Sequence, residues 1–335
     1  MRKPLYVHST IIVLVGLSLS HASFAFGATA RELPAAVELQ RNAAYMPRGT
    51  RWLVVLQFRG GASAGRESFL RMAVENRPGF RIMRQKIKQV LGINAARQIR
   101  GLWAFGSAQG RRSGVFLMES TVPAKLIAAK LRAAVKTSRD LYDGTHIFRV
   151  ENHFGRGPRS RKGMLYLAVL KPGIVLGSMS EKLLEQSLSC HLGIKPHLTD
   201  KSRLFTKWKP GWMFYFSVIH VQQAIDRAQN PLNVPPQIRQ MRSLHLMAAS
   251  TPTAVELHGD VRMLSAKAAG RSLAQLTALK KMAYSANTGA NATDRQMVLA
   301  GIIERLKLGV RQDRVQIQWR MPYSLLRHLM PPHHR

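Results

Sequence analysis

The spacing of apolar and polar positions changes period repeatedly along the chain, and each change marks an element. Met164–Leu170 and Ile174–Met179 are apolar runs of strand length on either side of Lys171-Pro-Gly173. Proline presets φ at the first corner of a turn and glycine takes the φ > 0 corner, so the stretch predicts a hairpin. Ser178-Met-Ser-Glu181 has a serine with glutamate three residues on, the pattern of a capping box, and Leu183, Leu184 and Leu188 follow at helical spacing.

Strand, turn, strand, cap and helix recur through the chain. Pro47–Trp52 opens a strand over Leu53–Phe58, and Lys209-Pro-Gly-Trp212 opens another over Met213–Val218. After the first come an amphipathic helix, Phe80–Leu91, the strands Ile99–Gly106 and Val115–Glu119, and a helix over Pro123–Val135 capped by Thr121. After the second come a short helix, Pro236–Arg242, the strands Leu244–Ala249 and Val255–Leu264, and a Ser265-capped helix to about Tyr284. Ile147–Val150 adds a strand to the first half. Helix Met297–Leu308, strand Val315–Trp319 and helix Pro322–Met330 complete the second. Each half reads β-α-β-β-α plus a strand. The expected fold class is therefore α+β: two similar halves, each an antiparallel sheet with helices on one face, of the ferredoxin-like or split βαβ kind.

The expected organisation is a signal peptide over 1–28, a first half over 29–195, a linker over 196–209 and a second half over 210–335. Arg2 and Lys3 form a basic n-region and Ile11–Leu19 a short h-region, with small residues for cleavage at Ser23–Ala25 or Phe26–Ala28. The h-region is short for a membrane span, and an uncleaved anchor is the alternative. Export to the periplasm or beyond is the expected destination.

The duplicated pattern carries a resemblance. The chain resembles exported bacterial proteins of uncharacterised function that begin their mature form with Glu-Leu-Pro-Ala, as Glu32–Ala35 does here. They continue with leucine-rich duplicated β-α-β-β-α halves and a late hairpin like Leu165–Gly177 leading into a Ser-capped helix. The resemblance implies an architecture over residues 32 to 330 and no catalytic residues. This chain is more basic than that group.

Charge alters the picture most. Lys and Arg number 51 against 17 Asp and Glu, a formal net charge of +34. Such a field favours polyanions: an anionic envelope polymer, a membrane surface, or nucleic acid. The other reading is a solvated basic surface adapted to its surroundings. The densest loop cluster, Arg156, Arg159, Arg161 and Lys162, is the candidate anion-binding site. Nucleic acid fits less well, because the signal peptide directs the chain outward and no RNP1 consensus is present. Trp103-Ala-Phe105 and Phe214-Tyr-Phe216 read as core strands before stacking platforms.

Catalytic signals are sparse. Gly61-Ala-Ser-Ala-Gly65 matches G-x-S-x-G between a strand and a helix, which makes Ser63 the one candidate nucleophile and a secreted serine hydrolase the alternative function. Hairpin-rich connections argue against the parallel sheet of an α/β-hydrolase, and the chain order fails for Asp260 with His245 or His258 as partners. Cys190 is the only cysteine, so no intrachain disulfide forms, and its neighbour His191 points elsewhere on a helix. No metal-ligand spacing, no P-loop and no dinucleotide fingerprint appear, so neither metal nor cofactor nor nucleotide is expected. The functional expectation is a non-enzymatic, exported protein that binds or scaffolds at an anionic surface.

Overall fold

The computed structural model describes residues 35–57, 85, 87–94, 98–107, 114–134, 139–142, 145–154, 161–208, 212–222, 236–251, 253–289 and 291–328. They form two compact units, one holding the described residues up to 208 and the other those from 212 onward. Both are mixed α/β, built on antiparallel sheet with several helices.

The first unit contains helix α1 (Ala35–Ala43), strands β1 (Trp52–Gln57), β2 (Ile99–Gly106) and β3 (Gly114–Ser120), and helix α2 (Ala124–Ala134). Strands β4 (Arg139–Tyr142), β5 (Thr145–Phe154), β6 (Arg161–Leu170) and β7 (Ile174–Ser178) and helix α3 (Glu181–His191) follow. The strand order is β1-β2-β3-β7-β6-β5-β4, and every pairing is antiparallel. A split βαβ unit would place a parallel pair in the sheet; among the described residues of this unit there is none. Period-two alternation sets Leu53, Val55, Trp103, Phe105, Val115 and Leu117 on one face, in register across β1–β3 and all buried. Helix α2 packs on β6, with Ile127 and Leu131 fully buried; each such side chain contributes about 2 kcal/mol of transfer free energy.

The hairpin β6–β7 turns at 171–173 through a cis Lys171–Pro172 bond and Gly173 at φ +96°. The capping box expected after it does not form. Ser178 Oγ donates to the Gly114 carbonyl (2.9 Å) and accepts from Ser180 N (3.1 Å), so that hydroxyl is spent inside the sheet. Ser180 is the actual N-cap, and the Glu181 carboxylate pairs with Arg149 at 3.0 Å. Thr121 does not cap α2 either: its hydroxyl and its N–H both donate to the Gln98 carbonyl. The segment 196–208, expected to act as a linker, packs into this unit. Leu198, Leu204 and Phe205 are buried, and Pro47 bridges His197.

The second unit contains β8 (Trp212–Ile219), the single-turn helix α4 (Pro236–Arg239), β9 (Met241–Ser250), β10 (Ala254–Met263), α5 (Ala266–Ser285), α6 (Asp294–Glu304), β11 (Leu306–Arg311), β12 (Arg314–Pro322) and α7 (Tyr323–His328). Its order is β11-β12-β10-β9-β8, again antiparallel throughout. Ser265 caps α5 by accepting from Ala268 N, and Thr293 forms a reciprocal capping box with Gln296 on α6. Helix α5 packs Ala268, Ala269 and Leu276 against Val261, Met263 and Val315. Trp319 Nε1 donates to the Ile302 carbonyl at 2.6 Å, tying α6 to that same face. The helix expected over 297–308 ends at Glu304, and its last residues become strand β11.

Candidate functional site

The sequence candidates are placed unevenly. Ser63, Arg156 and Arg159 lie outside the described residues. Arg161 and Lys162 open β6, opposite Phe154 and His153 of β5, so the loop expected at 156–162 gives way to strand at its end. The amphipathic helix expected over 80–91 is described only at 85 and 87–91, where the chain is helical.

Cys190 is buried on α3, and its thiol lies 3.5 Å from the Pro196 carbonyl. Burial pushes its pKa up, which favours the thiol over the nucleophilic thiolate. His191, about 100° further round the helix, stacks on Tyr45, with ring centroids 4.2 Å apart and planes 15° apart. Burial lowers the His191 pKa and raises that of Tyr45 to about 12, so both neutral forms suit the stack.

The structure does assemble a serine, a histidine and an aspartate, but with a serine other than Ser63. Ser217, His245 and Asp260 sit directly opposite one another across β8, β9 and β10. Ser217 Oγ lies 3.0 Å from His245 Nδ1, and Tyr215 Oη lies 3.4 Å from the same nitrogen. Arg314 Nη1 donates to the Asp260 carboxylate at 3.3 Å. His258, the other partner considered, pairs with Glu256 at 3.9 Å and meets the edge of Trp212. Ser217 and Tyr215 are both 0% exposed, so no substrate atom reaches the hydroxyl in this conformation. The row consists of cross-strand pairs on regular strands, and its chemistry is that of register: a slip by one residue would send each polar group to the opposite face. Only strand pairing reveals it, since no local motif links the three positions.

A second buried polar group lies under α1. Arg41 Nη2 donates to Glu119 Oε1 at 2.7 Å, Asn42 Nδ2 donates to the same oxygen, and Gln57 Nε2 donates to Glu38 Oε1 at 3.3 Å. Gln57, Gly101 and Glu119 form one row across β1, β2 and β3. The arrangement anchors α1 to the sheet by charge-assisted bonds. Among the described residues, no group of three His, Cys, Asp or Glu side chains is arranged to hold a metal ion.

The charges divide by element. Four carboxylates face arginines: Glu119 of β3 with Arg41 of α1, Glu181 at the start of α3 with Arg149 of β5, Asp260 of β10 with Arg314 of β12, and Asp313 of the β11–β12 turn with Arg262 of β10. Arg262, hydrogen-bonded to Asp313, holds that carboxyl below its ordinary range. The longer helices α2 and α5 carry basic charge alone. Lys125, Lys130 and Arg132 on α2 are all exposed, as are Lys267, Arg271 and Lys281 on α5, and neither helix contains a carboxylate.

No family model matches the chain, and no curated protein matches it in sequence. Among solved structures it is similar to three crystal forms of TP0453, a Treponema protein. Form III is 8% identical with a TM-score of 0.47, form I 10% with 0.44, and form IV 9% with 0.46. Each comparison covers 86% of this chain and 96% of the other.

Proposed function

We propose that the chain is an exported, non-enzymatic protein of two similar halves that binds or scaffolds at an anionic surface, either an envelope polymer or lipid headgroups. One observation carries the reading. Each unit presents a helix, α2 or α5, whose buried face packs on the sheet and whose exposed face bears only basic residues among its charged ones. Neither helix contains a carboxylate, and Glu119, Glu181, Asp260 and Asp313 are paired with arginines elsewhere, so these faces are not neutralised along their own helices. A positive field over both units attracts polyanions and speeds their encounter. The sequence cluster Arg156, Arg159, Arg161 and Lys162 would add a denser site to that field.

Binding to a soluble polyanion and to anionic vesicles, measured against salt, tests this. Neutralising several anionic groups at once releases counterions, so affinity for a DNA-like polymer should fall by roughly a thousandfold or more between about 50 and 200 mM salt if six or more contacts form. Charge reversal at Arg156, Arg159, Arg161 and Lys162 should cost more affinity than reversal at Arg81, Arg84, Lys86 and Lys88 if docking is localised. Affinity that is weak at low salt and indifferent to its increase overturns the proposal.

A further inference from the structure

Large apolar residues are exposed at one end of the second unit. Leu279 is 56% exposed and Met282 60%, one helical turn apart on α5, and Met297 of α6 is 60% exposed. Tyr284, also exposed near the α5 C-terminus, lies about 200° round the helix from Met282 and on another face. The reason lies in how α5 leaves the sheet. Its core-facing positions run through Ala268, Ala269 and Leu276, and the next such position is Lys280. Lys280 Nζ donates to the Glu304 and Leu306 carbonyls at 3.0 and 2.6 Å, which ties α5 to the end of α6 through a polar contact. Beyond it every α5 residue from 281 to 285 is exposed, so the last turns stand clear of the described core. Here the helix keeps its apolar residues without burying them.

Charge selects the occupant. Helix α5 carries Lys267, Arg271, Lys280 and Lys281 and no carboxylate, and exposed Arg295 lies on the first turn of α6 beside Asp294. A second copy of a chain with net charge +34 would be repelled, which disfavours this face as a self-association surface. Apolar side chains flanked by lysine and arginine on a helix describe an element that lies in the headgroup region of a membrane, with its apolar residues among the acyl chains. Lysine and arginine stems lie along the apolar surface while their charged ends stay at the level of the headgroups and water. Methionine, unbranched and adaptable, suits a fluid layer.

We infer that the α5–α6 end is a peripheral membrane-docking element, with Leu279, Met282 and Met297 entering the interface of an anionic bilayer and Lys281 and Arg295 meeting its headgroups. The inference rests on the anionic-surface reading and names both the surface and the contact. The same end presented to an acidic protein is the competing outcome.

The test places an environment-sensitive fluorophore at Met282→Cys; Cys190 is buried and does not compete for label. A control carries the label at Thr199→Cys, an exposed position on the other unit. Vesicles containing phosphatidylglycerol should blue-shift the label at 282 and expose it to a lipid-borne quencher, while pure phosphatidylcholine vesicles and the control position give no shift. Leu279→Ser, Met282→Ser and Met297→Ser combined should weaken partitioning by about tenfold or more at unchanged melting temperature, because the residues are exposed. If the full chain binds these vesicles with the label at 282 still in water, or if the triple variant binds as the parent does, the docking element is overturned and the anionic-surface reading stands. Binding of a soluble polyanion without binding of vesicles has the same consequence. If neither is bound at low salt, both fail together.

Discussion

Arg41 and Glu119 form a pair whose two removals should differ in cost, and the difference follows from burial. The Arg41 side chain is 25% exposed and the Glu119 side chain 4%, with 2.7 Å between Nη2 and Oε1. At that distance and an effective dielectric constant of about 20, the gross attraction is about 6 kcal/mol, most of it offset by desolvating the carboxylate. Arg41→Met keeps the aliphatic stem but strips a buried carboxylate of its guanidinium, with the Asn42 amide still bonded to it, which should cost about 3 kcal/mol. Glu119→Gln keeps the shape and the bond from Asn42, and leaves behind a guanidinium that water can reach; it should cost about 1 kcal/mol. Urea unfolding followed by tryptophan fluorescence reads both, with buried Trp103 in the same unit as a reporter. A cost for Glu119→Gln that equals or exceeds that of Arg41→Met would refute the reasoning. So would two losses under about 0.5 kcal/mol, since the pair would then behave like an exposed one.

Three further outcomes follow from local geometry. Gly177→Ala should destabilise the first unit by about 2 kcal/mol or more in the same unfolding assay, because the added Cβ meets the Phe116 ring and Leu167 Cδ2, the latter at 2.8 Å. Gln312 sits at φ +54° in the β11–β12 turn, so Gln312→Gly should leave the melting temperature unchanged or raise it, by up to about 1 kcal/mol of stability. Tyr45, with its pKa raised to about 12, stays neutral in the fold while the unfolded chain ionises near 10. The unfolded state thus binds fewer protons between those values, and stability should fall as pH rises through that window, by about 2–3 kcal/mol in total. Tyr45→Phe should remove that part of the alkaline loss, and an unchanged pH profile would count against it.

What could be read in the sequence was what is decided within a few residues. The β6–β7 hairpin announced itself through Lys171-Pro-Gly173, and the α5 start through Ser265. Strand β11 was concealed because Leu306 and Leu308 continue the apolar spacing of α6, with no glycine or proline at the boundary. Strand β4, absent from the expected elements, does carry a local signal: Asp143-Gly144 between two short runs is a hairpin dipeptide. The caps at Ser178 and Thr121 failed for a different reason, since both hydroxyls found carbonyls brought in from other parts of the chain. Contact at that range also hid the polar clusters. Asn42 and Glu119 are 77 residues apart in sequence, and Ser217 and His245 are 28 apart. Pairing of that kind depends on sheet order and register, which no window of sequence contains.

The division of charge between sheet and helix bears on why a chain this basic folds at all. With 17 acidic residues against 51 basic ones, pairing cannot neutralise the surface, and self-repulsion opposes the compact state. Scattered carboxylates would each gain little on exposed helices, where an ion pair contributes about 0–1 kcal/mol. Placed beside Arg41, Arg149, Arg262 and Arg314, four of them act where side chains are partly or wholly desolvated and where each pair also ties a helix or a turn to a strand, or strand to strand. Cohesion is thereby concentrated in the sheets, together with the apolar faces of Trp103, Leu117, Val261 and Val315. Helices α2 and α5 are left to carry positive charge outward. On this view the exposed charge of α2 and α5 is unfavourable for folding taken alone, and its retention is explained by the anionic surface that the proposed function supplies.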